Sequence, residues 1–102
     1  MTPAARVERS AYPADAAAVE GWLRVEGLTP ARWGAGPGHR FALHHHPHTK
    51  VVVCVAGGIV FHLPSGDEVP LGPGDRFELA AGVAHRATVG EDGVECVEAP
   101  RP

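Results

Sequence analysis

The sequence predicts an all-β domain, an antiparallel sandwich or barrel, preceded by one short helix. Two observations carry this. From residue 40 onward, seven short runs of strand-forming residues follow one another closely, and turn chemistry separates most of them. Ahead of them, only the stretch from about Ala16 to Glu26 carries helical periodicity.

Taken in order, residues 1–14, with Pro3 and Pro13, read as a loose or extended arm. The helix follows. Asp15 is placed to cap its N-terminus. Val19, Trp22 and Leu23 fall at i, i+3 and i+4 and make an apolar stripe. Gly27 stands where a left-handed residue ends a helix, Leu28 can pack back, and Pro30 prevents continuation. Gly21 weakens this helix by about 1 kcal/mol of propensity. The stretch ARWGAGPG, residues 31–38, reads as a loop. The expected strands are Arg40–His46, Val51–Ala56, Gly58–Leu63, Glu68–Leu71, Arg76–Leu79, His85–Val89 and Val94–Ala99. Turns are expected at Pro-Ser-Gly-Asp 64–67, Gly-Pro-Gly-Asp 72–75, Ala-Gly-Val 81–83 and Gly-Glu-Asp-Gly 90–93. The organisation is one structural domain, with an arm and helix over 1–37 and the barrel over 38–102.

Length and composition set the limits. A chain of 102 residues makes one domain and buries roughly 64% of its unfolded surface, enough for one small core. A net charge of −3 argues against a nucleic-acid partner. No apolar run is long enough to span a membrane. The first residues lack an apolar signal core, so a cytoplasmic location is expected. Cys54 and Cys96 are too few for a disulfide framework and are expected as free thiols.

The unusual feature is histidine. Of seven, five lie between positions 39 and 48. Residues i and i+2 of a strand share a face, so His44 and His46 point the same way. His85, after a tight turn, can supply a third imidazole from another strand. Three neutral imidazoles suit a divalent transition metal and leave positions open for water or substrate. His48 shares the parity of His44 and His46 and is a further candidate ligand, although Pro47 interrupts the strand. Paired strand histidines are also common as plain polar surface, and the pattern alone leaves both readings open.

The spacing around these histidines resembles the cupin superfamily. Its first motif, G-x5-H-x-H-x3–4-E-x6-G, is met in spacing by Gly38, His44, His46, Lys50 and Gly57, with Lys50 in place of Glu. Its second, G-x5-P-x-G-x2-H-x3-N, is met by Gly74, Gly82 and His85, with Ala80 for Pro and Val89 for Asn. The resemblance implies a jelly-roll β-barrel with a metal at its mouth. It makes His44, His46 and His85 the ligands of a divalent transition metal (Zn, Fe, Ni, Mn or Cu), with the carboxylate ligand missing. It also implies a homodimer.

Lys50 is the departure that matters. An ammonium about 5 Å from a divalent ion costs roughly 6–7 kcal/mol at an effective dielectric of 20. Lys50 can turn to solvent or to a carboxylate, anchor an anionic ligand that also meets the metal, or replace the metal altogether. The expectation is a small metal-binding cupin that takes a small, anionic molecule. As an enzyme it would use dioxygenase-like or Lewis-acid chemistry, with Lys50 as its catalytic group. The alternative is a non-catalytic binding or sensor module without metal, in which Lys50 and the cavity histidines hold an acid. Whether it is an enzyme stays open. Glu68 and Glu78 lie on neighbouring strands with ambiguous facing.

The remaining residues have ordinary expectations. His39 and His45 face solvent, and His62 lies on the sheet surface. Cys54 has the parity to line the cavity but is expected as a buried small hydrophobe. Trp33 covers one end of the barrel or a partner subunit. Asp75 fixes its turn through its side chain. Arg76 and Arg86 are solvated.

Overall fold

The computed structural model describes residues 5–101. Its elements are strand β1 (Ala5–Glu8), helix α1 (Ala16–Val25), and strands β2 (Ala31–Ala35), β3 (Arg40–His44), β4 (Thr49–His62), β5 (Glu68–Leu71), β6 (Arg76–Leu79) and β7 (His85–Arg101). All strand pairs are antiparallel. Two layers share β4 and β7. One runs β1-β6-β4-β7-β2, and the other pairs β5 with β4 and β3 with β7. This is the jelly-roll arrangement expected. No helix among the described residues is long and apolar enough to cross a membrane.

The two long strands replace four of the expected short ones. β4 pairs with β7 from Thr49↔Arg101 to His62↔Arg86, with register shifts between Cys54 and Ala56 and between Gly57 and Ile59. Gly90–Gly93, expected as a chain-reversing turn, is instead extra backbone carried within β7. Val94 pairs with Gly57 and Val89 with Ile59. A reversing turn needs its two flanks to pair with each other; here both flanks pair with β4. The residues bend the ladder so that it passes from one layer to the next.

The shifts also reset the inward phase of β4. Val52 and Cys54 face the barrel core before them, Ile59 and Phe61 after. Phe61 and Phe77 meet there with ring centroids 4.7 Å apart. The other face of β4 is also buried. Val51, Val53 and Val55, with Val97 and Ala99, pack under Val19, Leu23 and Leu28 from the helix region. Fully burying Val19 and Leu23 is worth about 1.5–3 kcal/mol each.

The helix ends are as the sequence implies. The Asp15 carboxylate accepts from the Ala17 N–H at 3.0 Å. Gly27 has φ +83°, the Leu28 N–H donates to the Leu23 carbonyl, and the Gly27 N–H donates to that of Arg24. That double closure is a Schellman motif. Trp22 departs from the expected stripe and is 56% exposed, because Val19 and Leu23 already fill the contact with the sheet.

Three further expectations are corrected. Ala5–Glu8, within the expected arm, is not loose, since β1 pairs with β6; residues 1–4 of that expectation lie outside the described residues. Beyond β1, the Ser10 N–H and the Arg9 guanidinium both donate to Asp75. Asp75 also accepts from the Gly72 N–H, which closes the turn as expected. Second, residues 31–35 are not a loop but pair with β7, because Trp33 and Ala35 find apolar cover on the core. Third, Arg76 is buried rather than solvated. It donates to both oxygens of Glu26 at 2.7 and 3.1 Å and to the Tyr12 hydroxyl at 2.6 Å. Its guanidinium holds the Glu26 carboxyl below the usual carboxylate range. A carboxylate is unfavourable at a helix C-terminus, and Arg76 offsets it there.

Two glycines give opposite predictions. A Cβ at Gly21 meets nothing within 4 Å, so Gly21→Ala should raise unfolding stability by about 0.5–1 kcal/mol in urea titration. Gly57 has φ +69°, and a Cβ there would lie 2.0 Å from the Gly93 carbonyl oxygen. Gly57→Ala should therefore cost on the order of 3 kcal/mol or more, or prevent folding; a loss below about 1 kcal/mol would contradict the tight crossing.

Candidate metal centre

His44 ends β3 and stands opposite His85, the first residue of β7. Between Phe41 and His44 the register shifts. This bulge lets both Phe41 and His44 face the interior although three positions separate them. His46 lies just past the strand. Its carbonyl accepts from the Gly82 N–H at 2.8 Å, which ties it to the turn ahead of His85. The Thr49 hydroxyl also accepts from the Ala81 N–H, at 3.3 Å.

The three rings converge. Their centroids are 4.8 Å apart for His44–His46, 4.3 Å for His44–His85 and 5.2 Å for His46–His85. One nitrogen from each lies within 4.8 Å of the others. Metal–nitrogen bonds of 2.0–2.1 Å place neighbouring ligand nitrogens about 3–3.4 Å apart, so modest side-chain rotations close the set. Two rings are already oriented. His44 Nδ1 is 2.7 Å from the Ala42 carbonyl and His85 Nδ1 is 2.9 Å from that of Val83. A carbonyl only accepts, so each Nδ1 carries the proton and each Nε2 keeps a free lone pair. Burial foremost, then the Lys50 ammonium and the neighbouring rings, pushes the His46 pKa down to about 4. Burial likewise lowers that of His85, against the pull of the Val83 carbonyl. Both imidazoles are thus neutral near pH 7, the form that binds metal. The donor set fits a divalent transition metal with open positions.

The rings line a cavity of about 320 Å³ whose other walls include Phe41, Ile59, Phe61 and Phe77. Trp33 also lines it, edge-on to Phe41 at 5.6 Å. The Trp33 indole N–H is buried and has no hydrogen-bond partner among the described residues. Lys50 and Glu98 complete the polar lining. The Lys50 ammonium is ion-paired with the Glu98 carboxylate.

Of the fates open to Lys50, the structure therefore shows the carboxylate partner. Sequence reasoning missed Glu98. Parity places it on the face of β7 shared with Cys96, but only the register Val52↔Glu98 brings it beside Lys50. The structure does not bring His48 to the site. It is exposed and off the cavity wall, because residues 45–48 leave the strand and the period-two rule lapses there. Cys54 is absent from the cavity lining and lies in the core opposite Cys96; both are free thiols. Glu78 faces the outer surface, where Arg101 pairs with it at 3.0 Å. His39, His45 and Arg86 are exposed. His62 bonds the Thr88 hydroxyl at 3.0 Å and faces the Glu68 carboxylate at 3.4 Å on the sheet surface.

Comparison with known proteins agrees with this architecture. No curated protein matches the chain. Among solved structures, a protein of unknown function from Rhizobium leguminosarum is 18% identical, with a TM-score of 0.68 over 76% of this chain and 73% of that one. A double-stranded β-helix protein from Klebsiella pneumoniae is 27% identical, with a TM-score of 0.64 over 74% of this chain and 67% of that one. A DMSP lyase from Ruegeria pomeroyi is 21% identical, with a TM-score of 0.68; the match takes in 74% of this chain and only 38% of the lyase. The cupin domain family model matches residues 31–98, most of the chain, and the chain therefore belongs to the cupin family.

Proposed function

We propose that this cupin holds one divalent transition-metal ion (Zn, Fe, Ni, Mn or Cu) on His44, His46 and His85, and takes a small anionic molecule into the cavity beside it. The observation that carries this reading is the orientation of His44 and His85. Each spends its Nδ1 proton on a backbone carbonyl and keeps Nε2 for a ligand bond. When bound, such an ion supplies Lewis-acid chemistry or, if iron or copper, redox chemistry. The chain's own residues do the rest. The aromatic and aliphatic walls exclude water from the ligand's apolar part. Lys50, held by Glu98, offers its remaining N–H donors to an anionic group. In an enzyme, Lys50 is the group placed to move a proton or steady a developing negative charge. The second reading is a metal-free binding module in which Lys50 and the same rings hold an acid. The Lys50 ammonium at the triad favours it, since a cation there opposes a metal.

Elemental analysis of tag-free protein separates the two. About one equivalent of metal per chain is expected. His46→Ala and His85→Ala should each weaken metal affinity by more than about a hundredfold, and Lys50→Glu should strengthen it. No uptake after reloading, or uptake unchanged in the histidine variants, would overturn the metal centre. Among the described residues β1 and β2 end the longer layer, each with one strand neighbour, which suits pairing with a second copy. A homodimer is expected in light scattering, and a monomer at all concentrations would refute it.

A further inference from the structure

We infer that the Lys50–Glu98 pair selects the ligand: a small carboxylic acid with a hydroxyl or amino group on the carbon next to its carboxylate, and an apolar side chain. This rests on the reading of the cavity as a small-molecule site and names the class of molecule it takes.

The argument is one of satisfied and unsatisfied groups. The Lys50 ammonium has three N–H donors. Among the described residues its one ion-pair partner is Glu98, and Glu98 has no other ion-pair partner. Both side chains line the cavity and both are only partly exposed, 26% and 23%. The ammonium thus has donors to spare, and the carboxylate has lone pairs to spare, side by side on one wall. A ligand that fills the cavity displaces the water that serves them. Leaving either charged group short of a partner is costly, so the ligand that binds best supplies an acceptor for Lys50 and a donor for Glu98. A plain carboxylate meets only the first need and leaves Glu98 without a donor. A neutral alcohol meets the second and offers Lys50 only an uncharged acceptor, a weaker partner than a carboxylate. A 2-hydroxy or 2-amino carboxylate carries both groups on adjacent carbons, the separation that two paired side chains present.

Size and lining limit the rest of the molecule. At about 320 Å³ the cavity is at the small end of ligand sites and holds on the order of ten non-hydrogen atoms. Phe41, Ile59, Phe61 and Phe77 give its apolar walls. A branched aliphatic side chain suits that surface, whereas a second charged group would meet no partner on it.

The test uses Trp33, which lines the cavity, as the reporter. The sequence has two tryptophans, and Trp22→Phe removes the exposed one outside the barrel. This protein is titrated with 2-hydroxyisocaproate, with isocaproate, which lacks the hydroxyl, and with 2-hydroxyisocaproamide, which lacks the charge. Each titration is run metal-free and zinc-loaded. The hydroxy acid should bind roughly ten- to hundredfold tighter than either control in both forms. In the Lys50→Met/Glu98→Met double variant the three should bind within about twofold of one another. That variant removes both charges together, so neither is left buried and unpaired.

Equal binding of the hydroxy acid and isocaproate, or no binding of any of the three, overturns the inference. So does a preference that survives in the metal-free double variant, since neither the ion pair nor chelation could then explain it. If the double variant does not fold, the metal-free titration of the parent protein decides alone, because chelation cannot act there. Zinc retained by the histidines without any preference removes this inference and leaves the metal centre standing. A preference in the metal-free protein with no zinc uptake does the reverse.

Discussion

The structure depends on the ladder between β4 and β7. These two strands pair almost end to end, yet they belong to both layers, so the ladder must bend sharply where it passes from one to the other. The bend is possible because Gly57 crosses against Gly93 at a distance that excludes any side chain. Once the ladder bends, its halves face each other and enclose the cavity. The same bend resets which residues of β4 point inward, so that the pattern before Gly57 and the pattern after it both serve one core.

The site inherits its layout from this arrangement. His44 and His85 come from the layer that holds β3, and His46 from the segment just after that strand. Lys50 and Glu98 come from the halves of β4 and β7 in the other layer, near β6 and β2. Two different chemistries thus share the walls of one cavity. Burial, Lys50 and the neighbouring rings keep the His46 and His85 imidazoles neutral, the form that binds a metal. The ammonium that would oppose a metal is compensated by a carboxylate that the metal motif does not contain. Outside the barrel, Arg76 performs a similar compensation for Glu26 and locks the helix C-terminus to the sheet.

Much of this was legible in the residues. The cupin motif spacing names the three histidines as ligands, and they converge although His46 lies past the end of β3, where strand parity no longer applies. The helix follows from Asp15, Gly27 and the spacing of Val19 and Leu23. There the information is local, because a cap or a turn is completed within a few residues. The misses have a common form. Ala5–Glu8 and Ala31–Ala35 are too short to declare themselves and become strands only because β6 and β7 offer them edges. Gly90–Gly93 has turn chemistry, but the partner strand decides whether such residues reverse a chain or bend it. His48 has the right parity, but parity means nothing once the chain leaves the strand.

The sequence by itself determined the fold class and the helix ends, because those rest on local geometry repeated along the chain; it named the three histidines as ligands only through their match to the cupin motif spacing, and the β3–β7 pairing brings them together. Only the tertiary structure decided the company of Lys50. The registers of β4 against β6 and β7 place Glu98 within reach of it, and strand register is a long-range choice set by core packing and the glycine crossing. A residue that reads as an obstacle to a metal centre in the linear sequence is, in the folded protein, half of an ion pair on the cavity wall.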